Sequence, residues 1–162
     1  MPNENILVPW LNDAYAMESA LIQILQSHAK QAEGHPLIAA KLEEHLEQTR
    51  NHALSIKGCV ERHGHHTSGF KSGAGSLLGA LQALATGIFG DALVKNLLAD
   101  YSAEKFEIIS YRALITAASD MGDQQTVEVC QGILVEEEQM ARWIEDNLSA
   151  VVLETLQQKA AT

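Results

Sequence analysis

Residues 61–90 read ERHGHHTSGFKSGAGSLLGALQALATGIFG. This stretch decides the fold. On either side of it the apolar residues recur at i, i+3 and i+4, the spacing of amphipathic helices, and strand-like alternation is absent. Four long helices follow from that spacing: about 6–31, about 36–62, about 91–121 and about 123–147, with a short tail helix at SAVVLETLQQK. Pro36 suits a first helical turn, Gly90 or Asp91 the start of the third helix, and Gly122 its end. The first and second helices are joined by a few residues, as are the third and fourth. Each pair is therefore an antiparallel hairpin.

The middle connection is long by comparison. A helix of about 26 residues is roughly 39 Å long. The Gly/Ser-rich piece, with a short helix at LLGALQALAT, can run that distance. Two helical hairpins joined by one full-length crossover make an all-α, ferritin-like four-helix bundle. We expect residues 1–162 to form one such domain, with the core bundle at about 6–147. A faint internal repeat agrees, since Tyr15-x-x-Glu18 and Tyr101-x-x-Glu104 fall near the middle of the first and third helices.

Composition sets outer bounds. The chain has 162 residues and a formal net charge of −10, which argues against a nucleic-acid or anionic-membrane binder. No apolar run reaches the length of a membrane span, and GSLLGALQALATGIFG carries four glycines. No signal peptide is visible, and the two cysteines, Cys59 and Cys130, form no CxxC. A reduced, cytoplasmic setting is the expectation.

Polar residues that share a face with apolar ones carry the functional signal. Glu18 has Leu11, Ala14, Tyr15, Leu21, Ile22 and Leu25 on its face. Glu137 has Cys130, Ile133, Leu134, Met140, Ala141 and Ile144, so it is the inward member of the Glu136-Glu137-Glu138 triplet. Glu136 and Glu138 read as flanking, solvated acids. Of Glu104 and Glu107 on the third helix, one or both point inward, with Asp100 close by. His45, Thr49 and His52 lie in or beside the apolar stripe of the second, with Gln48 at its edge. Glu43, Glu44 and Glu47 read as solvated.

These inward residues sit near mid-helix, where an antiparallel bundle brings side chains to one level. Several carboxylates in an apolar core repel unless they share protons or cations. Carboxylate and imidazole ligands in a bundle core suit iron or manganese. The expected ligands are Glu18, His45, His52, Glu104, Glu107 and Glu137, with Tyr15, Tyr101 or Tyr111 behind them. His63, His65 and His66 read as a solvated loop, and the cysteines as core residues.

At these residues the chain resembles the ferritin-like family of bacterial stress-associated YciE- and YciF-type proteins, over roughly residues 8–147. DAYAMESALIQIL, HLEQT, EKFEIISY and ILVEEEQMA carry the resemblance. It implies a metal-binding four-helix core and a homodimer. It departs from the di-iron ferritin pattern, Glu-x-x-His on the second and fourth helices: Glu47 is followed by Arg50 and Glu137 by Met140. The sequence leaves open whether the core holds one ion, two or none. A metal centre acting on dioxygen or peroxide in a stress response is the leading expectation, and iron storage is not. The alternative is a non-enzymatic stress or interaction module whose core acids share protons.

Overall fold

The computed structural model describes residues 4–67, 79 and 91–161. Among these are four helices and no strand: α1 (Glu4–Gln31), α2 (Pro36–Arg62), α3 (Ala92–Asp120) and α4 (Gln124–Ala160). The short crossover helix expected at LLGALQALAT lies outside the described residues.

Local chemistry sets the boundaries. The α1–α2 turn closes through His35 N–H on the Ala32 carbonyl at 2.8 Å, and Pro36 opens α2. Asp91 caps α3, accepting from the backbone N–H of Leu93 at 3.0 Å and Val94 at 3.2 Å. α3 ends on Gly122 at φ 72°, a left-handed conformation that only glycine adopts cheaply. Asp123 then caps α4, accepting from Thr126 N–H at 3.1 Å. The same Asp123 takes a bond from His63 Nε2 at 2.8 Å, tying the end of α2 to the start of α4.

Two sequence expectations need correction at the helix ends. α1 starts at Glu4, slightly before the expected residue 6, and Pro9 lies inside it, where the missing N–H forfeits one helical bond. The tail helix is not a separate element. α4 runs unbroken to Ala160, because Val151 and Thr155 continue its buried face.

Contacts between helices fix the topology. Between α1 and α3, Gln31 meets Asn96, His28 meets Asp100 and Glu18 meets Tyr111. Between α2 and α4, Arg62 meets Thr126 and His52 meets Glu136. In both pairs, numbers rise along one helix as they fall along the other, so each pair is antiparallel. With both hairpins antiparallel as well, α2 and α3 run parallel. The segment between them therefore joins opposite ends of the bundle, and the chain has the ferritin-like four-helix arrangement.

The interior divides into two apolar clusters. One contains Leu7, Leu11, Ile56, Tyr111, Leu114 and Cys130; the other contains Leu25, Leu42, Leu97, Met140, Ile144 and Val151. Along α2 and α4 the boundary between them falls at residues 45–52 and at 137, where the buried polar side chains are.

Candidate metal centre

Each helix contributes a buried acid or imidazole at this level. Glu18 comes from α1, His45 and His52 from α2, Glu104 and Glu107 from α3, and Glu137 from α4. All are at most 3% exposed. His45 and His52 are seven residues apart, two helical turns, so both imidazoles leave one face of α2 and bracket the Glu137 carboxylate.

The side chains form two groups that meet in Glu137. His52 Nδ1 lies 2.9 Å from Glu137 Oε1 and 3.7 Å from Glu18 Oε2. His45 Nε2 lies 2.9 Å from Glu104 Oε1 and 3.4 Å from Glu137 Oε2. Within each group one ligand atom from every residue lies within 4.8 Å of the others. Glu107 is buried at the same level but belongs to neither group among the described residues.

The outer nitrogen of each ring is held. His45 Nδ1 pairs with Gln48 Oε1 at 3.0 Å, and His52 Nε2 with Glu136 Oε2 at 2.5 Å. Both partners accept, so each outer nitrogen donates. In a neutral ring this leaves the inner nitrogen with a lone pair aimed at carboxylates. The inner contacts are close but lack hydrogen-bond alignment. Glu18 Oε2, Glu104 Oε2, both oxygens of Glu137 and His52 Nδ1 are buried without a hydrogen-bond partner among the described residues.

The electrostatics reflect the crowding. Burial raises the Glu104 and Glu107 carboxyls well above their ordinary range, and the Glu137 charge adds to it. Burial also raises Glu18, with Glu137 adding to the effect and His52 opposing it. His52 is pushed to about 11: burial works against its charge, but Glu137 and Glu18 outweigh burial. Glu137 is lowered: burial works against its charge, but the close approach of His52 and Glu104, and then of His45, outweighs it. Tyr111 donates to Glu18 Oε1, and burial followed by the Glu18 charge holds its phenol protonated.

Glu136 and Tyr101 need correction, and the structure gives Glu107 and Tyr15 definite places. Glu136 is not a bystander, because it orients His52. Glu107 stands beside the two groups rather than in them. Tyr101 is not behind the site; it donates to Glu145 at the surface. Tyr15 packs against the first apolar cluster. Met140 is a core residue, 1% exposed, and Arg50 pairs with the exposed Glu47, so the departures from Glu-x-x-His are real. His65 and His66 are exposed, and Cys59 and Cys130 are buried free thiols.

Sequence reasoning missed the part-buried pair of His28 and Asp100, 2.7 Å apart. The signal was present, since His28 has Ile24, Leu25 and Ala32 on its own face.

A family model described as a domain of unknown function (DUF892) matches residues 3–157. A protein of Xanthomonas campestris pv. campestris has a similar crystal structure, at TM-score 0.85 and 29% identity over 99% of each chain. The Escherichia coli stress protein YciF matches at TM-score 0.78 and 22% identity, over 92% of this chain and 96% of its own. The Desulfovibrio desulfuricans bacterioferritin, described with a diiron site, matches at TM-score 0.76 and 18% identity, over 93% of this chain and 82% of its own.

Proposed function

The chain belongs to the DUF892 family, and on that footing we propose that its core binds two divalent metal ions, iron or manganese, with Glu137 shared between them. One ion is assigned to Glu18, His52 and Glu137, the other to His45, Glu104 and Glu137. The observation that carries the reading is the pair of imidazoles. Each is anchored through its outer nitrogen and turned inward onto buried carboxylates with oxygens that have no hydrogen-bond partner among the described residues. That is how metal-bound histidines are held in proteins. Such ions, when bound, supply Lewis acidity and redox chemistry toward dioxygen or peroxide.

The residues around them have definable work. Glu136 and Gln48 fix the ring orientations. Tyr111 fixes Glu18 and keeps a proton next to it. Glu107, protonated by its surroundings, is a buried acid one turn from Glu104. The stress-protein description of YciF and the diiron site described for the bacterioferritin support a role in an oxidant response. The buried free thiols agree with a reducing cytoplasm. A homodimer belongs to the same reading, with Phe106, Ile109 and Val135 as exposed apolar side chains to cover. Light scattering on the eluting protein tests it.

One observation favours the competing reading, an interaction module without metal. His52, held positive up to about pH 11, already offsets part of the carboxylate charge. Metal analysis of untagged protein separates the two. The metal reading expects iron or manganese near two per chain, a melting temperature raised by added Mn²⁺, and loss of both ions in Glu137→Gln. Trace metal with no thermal response, or unchanged uptake in a Glu18→Ala, Glu137→Ala double variant, overturns it.

A further inference from the structure

The buried polar layer has a branch. On α3, Asn96, Asp100 and Glu104 follow one another at four-residue intervals and share a face. They are 8%, 3% and 2% exposed. Four residues advance a helix by about 6 Å, so the branch covers about 12 Å from Glu104 toward the end of the bundle. It runs through the second apolar cluster, beside Leu97 on α3 and Leu25 and Ala29 on α1. At its outer end Asn96 Nδ2 donates to Oε1 of Gln31, an exposed residue, at 2.9 Å.

Asp100 is the informative residue. Its Oδ1 accepts from His28 Nδ1 at 2.7 Å, and the His28 side chain keeps 13% of its surface in solvent. Its Oδ2 is buried with no hydrogen-bond partner among the described residues. Its charge is also felt at Glu104 and Glu107, one and two turns inward. A half-satisfied carboxylate inside an apolar cluster is unfavourable for the fold, and an apolar residue there would pack without that cost. The arrangement makes sense if the free oxygen has a transient cationic partner.

We propose that Asp100, oriented by His28, is a transit site through which divalent cations pass between solvent and the core, reaching the His45–Glu104–Glu137 group first. This deepens the metal-centre reading and rests on it. One free carboxylate oxygen is too small a ligand set to retain an ion beside a group offering three. Asp100 therefore governs how fast ions arrive rather than how many stay.

Stopped-flow uptake of Co²⁺ by the full, untagged chain, followed by Co²⁺ per chain after gel filtration, is the test. Asp100→Asn keeps the size and removes the charge. Uptake is expected to slow by about tenfold, as for loss of a charge that steers ions inward, with final Co²⁺ content equal to wild type. Asn96→Asp adds a carboxylate at the outer step without removing a native charge, and is expected to speed uptake. A wild-type rate in Asp100→Asn, or no acceleration in Asn96→Asp, overturns the proposal. So does a reduced final content in Asp100→Asn, which makes Asp100 a resident ligand. If the wild-type chain itself takes up no Co²⁺, the metal-centre reading falls with it. Two ions per chain and an insensitive rate bring down the transit site alone.

Discussion

Three consecutive glutamates on one helix cannot share an environment, and α4 gives each a different partner. Glu138 accepts from Arg112 Nη2 at the surface, at 2.7 Å. Glu137 is fully buried between the two imidazoles. Glu136, half-exposed, reaches back to hold His52. Periodicity identified Glu137, because its six helical neighbours are all apolar. It missed Glu136, because a residue at the edge of a stripe can reach either water or a neighbouring helix, and nothing on its own helix decides which. Gln48 stands in the same relation to His45. Replacing Gln48 by Leu removes the acceptor that fixes the ring. Metal affinity of the His45 group is expected to fall by about tenfold or more, with the His52 group unchanged. Isothermal titration with Mn²⁺, resolving the two sites, checks this.

At the scale of elements, the helices were legible because four long apolar stripes leave little choice, and the single long connection fixed their order. The ends were less legible. Asn147-Leu148-Ser149 reads as a stop, yet Asn147 Nδ2 donates to the Trp143 carbonyl within the helix at 2.8 Å, and Val151 reaches the second apolar cluster. Packing against His35 and the start of α2, invisible from α4 alone, carries the helix onward. The α3–α4 turn was legible for the opposite reason. Gly122 sits at φ 72°, with open space where a Cβ would go. Gly122→Ala therefore creates no clash, only backbone strain. It is expected to cost about 1 kcal/mol and to lower the melting temperature by roughly 2–4 °C. Calorimetry against wild type at one pH measures it.

For the whole molecule, the polar layer links stability to pH. Glu18, Glu104 and Glu107 all titrate above the ordinary 4.5, so the folded chain keeps protons that the unfolded chain has lost. Their contribution is complete below the unfolded value and declines as pH rises through their folded values. His52 has the same sign: complete below 6.5, and lost as pH climbs toward about 11. Glu137, being lowered, has the opposite sign, and its contribution disappears only below 4.5. The metal-free chain should therefore lose thermal stability as pH rises from about 4.5 toward about 11, and saturating Mn²⁺ should flatten that decline. Melting curves across this range, with and without the ion, test both halves. A flat metal-free profile would contradict the crowding described for the core.

The position of Glu137 on the last helix also governs timing. Chains leave the ribosome from the N-terminus, and domains fold as units once their elements are available. α1, α2 and α3 can emerge carrying Glu18, both histidines and Glu104, but neither group exists until α4 has been made and docked. A nascent chain therefore offers scattered donors rather than a site, and loading with metal waits for translation to deliver the residue that both groups share.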